Sequence, residues 1–266
     1  MALTTPLRVG VFGAGGRMGS TVCRAVADDP DLELVAAVDP FHSGLDLRQV
    51  TGLDIPLQLL ASAETFVEVG VDVAIEFTQV DAGRENILWL ADHGIHAVVG
   101  TTGFSDEDLA EFERRFTRSN CFVAPNFAIG AVLMMRFAEL AAPYFETAEI
   151  IELHHDQKID APSGTAMHTA ARMAAASDEW AADPTTKHVV EGARGGAGPA
   201  DIRVHSVRLR GLVAHQEVLL GTTGQSLTIR HDSYDRSSFM PGVVLAAKSV
   251  ADRPGLTVGL EALLQL

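Results

Sequence analysis

Leu7-Arg-Val-Gly-Val-Phe-Gly-Ala-Gly-Gly-Arg-Met-Gly19 is the stretch that decides the fold. Leu7 to Phe12 is an apolar strand candidate, and the glycines after it permit a tight turn with close approach of the backbone to a ligand. Arg17 to Asp28 then follows helical spacing, with Met18, Val22, Ala25 and Val26 on one face. Asp28-Asp-Pro30 stops that helix, and Leu32 to Val38 is a second apolar run closed by Asp39. Strand, glycine turn, helix and strand, with a carboxylate about 20 residues beyond the turn, is how a dinucleotide site is built. Its pyrophosphate sits where unpaired N–H groups and the helix dipole favour negative charge. Gly13 and Gly15 fit the usual Gly-x-Gly-x-x-Gly pattern, but Met18 holds the third place. Gly13, Gly16 and Gly19 therefore make the better series. The expected cradle comprises Gly13, Ala14, Gly15, Gly16, Arg17 and Met18. Asp39 is expected to accept hydrogen bonds from a ribose diol, which favours NADH. Arg17 is a cation that keeps NADPH in play.

The pattern continues outward. Asp72 to Phe77 and His96 to Gly100 are apolar on both phases, as buried parallel strands are. Asp81 to His93 is a helix between them. Ser105 to Asp108 reads as a capping box opening a helix through Arg118, and Cys121 to Ala124 as another short strand. Strands alternating with helices predict a doubly wound parallel sheet of the Rossmann type. Gly100, Thr101 and Thr102 lie at one strand end, and Ala124, Pro125, Asn126 and Phe127 at the next. Ligands of open parallel sheets bind at such ends. The threonines offer hydroxyls and amides to a nicotinamide, and Phe127 an aromatic wall.

After Asn126 the character changes. Ala131 to Ala142 is a helix, Ala148 to Leu153 a strand, and Ser163 to Ala176 an alanine-rich helix. Residues 191–200 are glycine-rich and read as a mobile loop. Ile202 to Leu209, Gln216 to Leu220 and Leu227 to His231 follow as closely spaced strands of an antiparallel or mixed sheet. Phe239 to Ala251 is a helix assigned back to the first domain. The predicted domains are 1–126 with 237–266 for the dinucleotide, and an α+β domain, 127–236, for substrate and oligomerisation.

The formal net charge of −15 argues against nucleic acid or an anionic membrane as partner. An acidic substrate needs a local cationic pocket to overcome that field. The two cysteines, Cys23 and Cys121, have no metal-like spacing and read as buried thiols of a reducing cytosol; no metal is expected. No stretch has the form of a signal peptide or a membrane span, so a cytoplasmic location is expected.

Ile151-Glu-Leu-His-His-Asp-Gln-Lys-Ile-Asp-Ala-Pro-Ser-Gly-Thr-Ala166 reads as a corner suited to a small acidic substrate. A strand ending near Leu153 sends His154 and His155 to opposite sides. Imidazole gives or takes a proton near neutral pH, and as a cation it holds carboxylate. Lys158 adds charge. Ser163 is a plausible N-cap, which leaves the amides of Gly164 and Thr165 facing outward as a carboxylate receptor.

That segment resembles the signature of the dihydrodipicolinate reductase family. The glycine turn, Glu76-Phe-Thr78, Gly100-Thr-Thr-Gly-Phe104 and Ala124-Pro-Asn-Phe127 resemble the family's cofactor segments in the same order. The resemblance implies reduction of a cyclic unsaturated dicarboxylate by NADH or NADPH with loss of water, on the route to diaminopimelate and lysine. It implies His154 as proton donor and acceptor, Lys158 as proton donor, and His155, Gly164 and Thr165 as carboxylate binders. It also implies a homotetramer built through the C-terminal sheets. Asp39-Pro40-Phe41 lacks the arginine that some members place directly after the strand-end acid, so NADH or dual use is expected. Two rival readings are weaker. One is another nicotinamide-dependent oxidoreductase on a small carboxylic acid: a semialdehyde dehydrogenase needs a nucleophilic cysteine, for which neither cysteine is suitably set, and sugar oxidoreductases of related build often use a Glu-Lys-Pro segment, which is not found here. The other is a nucleotide-sensing module, which has no use for the His/Lys corner.

Overall fold

The computed structural model describes residues 5–264. The ends of the expected first domain, residues 1–4 and 265–266, lie outside the described residues. Two units are present, Met1–Ile129 with Arg236–Leu266, and Gly130–Asp235.

In the first unit, β1 (Leu7–Phe12) leads into α1 (Arg17–Asp28) and β2 (Leu32–Val38). The face of α1 that packs inward is Gly19, Val22, Cys23 and Val26, one position round from the predicted stripe. A 3-10 turn, Pro40–His42, and the short α2 (Leu47–Thr51) precede β3 (Leu59–Leu60). Then come α3 (Glu64–Glu68), β4 (Val73–Glu76), α4 (Val80–His93), β5 (His96–Val99), α5 (Asp106–Arg115) and β6 (Cys121–Val123). The Ser105/Asp108 capping box is present. The helix stops at Arg115, short of the predicted Arg118, where Phe116 leaves helical geometry to be buried at 3% exposure. Phe66, fully buried, lies against Phe12 (ring centroids 4.9 Å) and over Gly10, where a Cβ would meet its ring at 2.7 Å.

The second unit begins with α6 (Ile129–Ala141) and β7 (Thr147–His154), followed by α7 (Gly164–Ala176). β8 (Gly196–Ala197), β9 (Arg203–Arg208), β10 (Ala214–Thr222) and β11 (Gln225–Ser233) complete a sheet of order β11-β10-β7-β9-β8. β7 and β9 are parallel and the other pairs antiparallel, so the sheet is mixed. Residues 191–200 are not the open loop that their glycines suggested: Gly196 and Ala197 pair with β9, and Gly198 N bonds to Ile202 O at 2.9 Å. Ile150 and Val218 of the sheet and Ala170 and Met173 of α7 are wholly buried. The Gln216 amide donates to the buried Thr169 hydroxyl at 2.9 Å, which in turn donates to the Thr165 carbonyl at 2.7 Å.

The chain then returns to the first unit with α8 (Met240–Ser249) and β12 (Leu256–Val258). β12 closes a seven-stranded, all-parallel sheet of order β12-β6-β5-β4-β1-β2-β3. Strand order reverses at β1, which pairs with both β2 and β4. The loops after those strands therefore border the crevice where such sheets bind ligands. Cys23 and Cys121 are both buried in this unit, and burial raises both thiols, Cys23 to about 12 despite an opposing backbone hydrogen bond. Among the described residues no helix is long and apolar enough to cross a membrane.

Candidate active site

In the first unit every expected cofactor segment follows the C-terminal end of a parallel strand: the glycine turn after β1, Asp39 after β2, Gly100–Thr102 after β5, and Ala124–Phe127 after β6. The turn is shaped by three glycines. Gly13 has φ +70°, and a Cβ on Gly19 would lie 1.9 Å from the Gly13 carbonyl oxygen. On Gly15 it would meet His42 at 2.4 Å and Asp39 at 2.8 Å, but on Gly16 only the Gly13 oxygen, at 3.2 Å. The demanding set is thus Gly13, Gly15 and Gly19. The predicted series with Gly16 is corrected, because Asp39 and His42 close over Gly15.

Three amides of the turn are occupied: Ala14 N by Val38 O (3.1 Å), Gly15 N by Asp39 Oδ2 (2.9 Å) and Gly16 N by Gly13 O (2.9 Å). Gly16 N-caps α1 without a side chain, and no residue in the first turn is acidic. The Arg17 and Met18 amides are left without a partner among the described residues. Open amides at the positive end of α1, above glycines whose Cβ atoms would fill the space, fit a dinucleotide pyrophosphate. The Arg17 side chain is exposed.

Asp39 is 5% exposed and already busy. Oδ2 accepts from Gly15 N, and Oδ1 from Phe41 N at 3.1 Å and His42 Nδ1 at 3.0 Å. Of about four acceptor positions on a carboxylate, one is left for a ribose hydroxyl while His42 stays in place. His42 was not anticipated; its only sequence signal is the spacing of three from Asp39.

The remaining segments divide. Glu76, with no exposure, accepts from the amide of Thr78 at 2.9 Å and from its hydroxyl. The same amide reaches Thr101 Oγ1 at 2.9 Å, so Thr101 is tied to the end of β4. Burial raises the Glu76 carboxyl, against hydrogen bonds from Thr101, Thr78 and Asn86. Thr102 is exposed. Gly100 is a glycine because the Phe77 ring occupies its Cβ position at 2.0 Å. Ala124 N is bonded to Val99 O, Pro125 is exposed, and Asn126 Oδ1 accepts from Ala128 N at 2.9 Å. Phe127 is 2% exposed and packs between Phe77 and Phe122, with ring centroids at 5.9 and 6.2 Å. The expected aromatic wall is therefore a core side chain.

In the second unit the period of a strand sets the corner. Ile150, Glu152 and His154 share a face of β7, and His155 just beyond the strand is exposed. Glu152 Oε2 accepts from His154 Nδ1 at 2.5 Å and from Arg208 at 2.9 Å; Oε1 accepts from Arg208 at 2.8 Å and from Ser163 N at 3.2 Å. Arg208 lies opposite His154 on β9 and also donates to the Asp160 carbonyl at 2.6 Å. Burial acts to raise the Glu152 carboxyl, but hydrogen bonds from Arg208, Ser206 and His154 outweigh it and hold it low. Burial lowers the imidazole of His154, and the Lys158 and Arg208 charges add to this; the bond to Glu152 opposes but does not reverse it.

Ser163 caps α7, its hydroxyl accepting from Ala166 N at 3.2 Å. The amides of Gly164 and Thr165 are left without a partner among the described residues. The Lys158 ammonium contacts both oxygens of Asp160, at 2.7 and 2.8 Å. Glu152 and Arg208 escaped the sequence reading. The signal for Glu152 was its place two residues before His154, on the same strand face.

The comparisons with known proteins agree along the whole chain. Residues 7–127 match the family model "Dihydrodipicolinate reductase, N-terminus", and residues 130–264 the model "Dihydrodipicolinate reductase, C-terminus". The 4-hydroxy-tetrahydrodipicolinate reductase of Cutibacterium acnes is 51% identical over 98% of this chain and 99% of its own. That of Nocardia farcinica is 50% identical over the same shares. A dipicolinate-bound dihydrodipicolinate reductase from Paenisporosarcina sp. TG-14 superposes with a TM-score of 0.84 at 41% identity, covering 97% of this chain and 99% of that one. An amine dehydrogenase from Mycobacterium smegmatis, at 14% identity and a TM-score of 0.60, shares the fold alone. With both halves matched by its models and full-length relatives at half identity, the chain belongs to the dihydrodipicolinate reductase family.

Proposed function

We propose that this chain reduces 4-hydroxy-tetrahydrodipicolinate to tetrahydrodipicolinate. One NADH or NADPH and one proton are consumed and one water is released, on the route to diaminopimelate and lysine. The observation that carries the reading is the corner of the second unit. There the His154 imidazole and the Ser163 amide, next to the open Gly164 and Thr165 amides, are bonded to one buried carboxylate, and the Lys158 ammonium, whose charge acts on that imidazole, pairs with carboxylate.

Loss of the ring hydroxyl with a neighbouring ring hydrogen gives the released water and a conjugated ring, whose electron-poor carbon would take hydride from a reduced dinucleotide when one is bound. The residues of the chain do the rest by positioning and charge. Open amides of Arg17 and Met18 hold the pyrophosphate, and Asp39 takes a ribose hydroxyl. Gly164, Thr165 and His155 hold substrate carboxylate. A second carboxylate takes the place of Asp160 on Lys158. The His154 Nε2, free because Nδ1 is committed to Glu152, delivers the proton to the neighbouring carbon, with Lys158 as the second donor in the site. Without an arginine after Asp39, NADH is used at least as well as NADPH.

The protein works in the cytoplasm as a homotetramer joined through the second unit. The test of function is a coupled assay in which a synthase generates the unstable cyclic substrate and reduced nicotinamide is followed by absorbance. Oxidation that begins only when the synthase is active is the expected result. No oxidation with either nucleotide refutes the assignment.

A further inference from the structure

Glu152 is an ionisable side chain with no solvent exposure, a placement that is costly unless every acceptor position is filled. Here they are filled. Two oxygens offer about four acceptor positions, which His154 Nδ1, the Ser163 amide and two nitrogens of Arg208 fill, and the Ser206 side chain adds a further hydrogen bond. Arg208 remains charged throughout the working pH range, so the charge on Glu152 is neutralised by a partner that cannot give up its proton.

Three consequences follow. A saturated, ionised carboxylate accepts only from a nitrogen bearing hydrogen, so His154 carries its proton on Nδ1 and exchanges the other through Nε2. Glu152 does not itself take the proton, because protonation would break the Arg208 pair. The amide of Ser163 hangs on the same carboxylate, so the start of α7 and the imidazole are held in one frame although eleven residues separate Glu152 from Ser163.

We propose that Glu152 is a positioning residue that fixes the tautomer of His154 and, through the Ser163 amide, seats the carboxylate-holding turn relative to that imidazole. The proposal rests on the reading of His154 as proton carrier and of the Gly164 and Thr165 amides as substrate ligands. It sets Glu152 apart from a purely structural buried acid, because one substitution must disturb proton transfer and anion binding together.

The experiment compares the full-length parent with Glu152→Gln, which keeps the shape and removes the charge, and Glu152→Asp, which keeps the charge and shortens the reach. Three quantities are read: kcat in the coupled assay, the Kd of dipicolinate, and the Kd of NADH. In parallel, ¹⁵N NMR of His154, assigned by comparison with His154→Gln, reports which ring nitrogen carries hydrogen. The expected parent tautomer is Nδ1–H. In Glu152→Gln this preference is lost, kcat falls ~10- to 100-fold and dipicolinate binds more weakly, as when the outer partner of a working histidine is removed. The Kd of NADH is unchanged, and Glu152→Asp recovers part of the loss. An active parent in which Glu152→Gln leaves kcat and dipicolinate affinity intact overturns the proposal, as does a parent His154 protonated on Nε2 in the neutral form. Should Glu152→Gln not fold, the tautomer measured in the parent still decides. An inactive parent instead strikes the functional reading itself.

Discussion

Replacing the glycines of the nucleotide turn one at a time by alanine separates two accounts of that turn. The new Cβ of Gly19→Ala falls 1.9 Å from a backbone oxygen, that of Gly13, which no side-chain rotation relieves. The turn must move away from α1, and the open Arg17 and Met18 amides move with it. Each amide gives a pyrophosphate a charge-assisted hydrogen bond of about 1.5–3 kcal/mol. Loss of both predicts a Kd for NADH raised by ~100-fold or more, at about 1.4 kcal/mol per tenfold. In Gly15→Ala the obstruction is the half-exposed His42 ring and the Asp39 carboxylate, and the ring can swing aside; roughly a tenfold loss is expected. Gly16→Ala meets one backbone oxygen at 3.2 Å and costs less, about threefold. The assay is fluorescence titration of NADH on proteins whose circular dichroism and melting temperature match the parent. Equal losses at positions 15, 16 and 19, or Gly19→Ala binding within threefold of the parent, refute the steric reasoning.

His154→Gln should lower kcat by ~10²–10⁴ in the coupled assay; a kcat close to the parent's removes that imidazole from proton transfer. Lys158→Ala should reduce both kcat and dicarboxylate affinity while the Kd of NADH stays put, and a large change in the latter would place the ammonium in the cofactor site. Binding of dipicolinate should take up protons near neutral pH. His154 is held low in the free protein, and adjacent carboxylates raise it, so between the two values the complex binds up to about one more proton per site. The affinity should therefore weaken as pH rises through the higher value. Calorimetry in buffers of different ionisation enthalpy measures the uptake, and its persistence in His154→Gln would show another group to be responsible. His42→Ala should tighten NADH by freeing a second acceptor position on Asp39, read as a lower Kd by fluorescence.

The parallel sheet was legible because buried strands are apolar on both phases and the helices between them keep one face. What the pattern missed was short or polar. Leu59–Leu60 and Leu256–Val258 are too brief to show a period, yet they close the two edges of the sheet. β10 and β11 outrun their apolar runs because backbone pairing continues to the two-residue turn Thr223-Gly224, where Gly224 has φ +83° and polar side chains face solvent. The corner from His154 to Thr165 was legible because its parts are contiguous and chemically unusual. Arg208 was not, because it lies on another strand and only register brings it opposite His154. Phe127 and Gly100 show the converse. Each has the type a ligand site favours, but in the fold Phe127 fills the space between two phenylalanines and Gly100 makes room for Phe77.

Both sulfhydryls sit in one unit, and burial raises both so that they stay in the thiol form at neutral pH. Reagents aimed at thiols thus find no reactive cysteine on the native chain. Modification has to wait for an opening of the nucleotide-binding unit. The rate of alkylation is therefore a clock for breathing of that unit alone, silent about the other, and a bound dinucleotide should slow it.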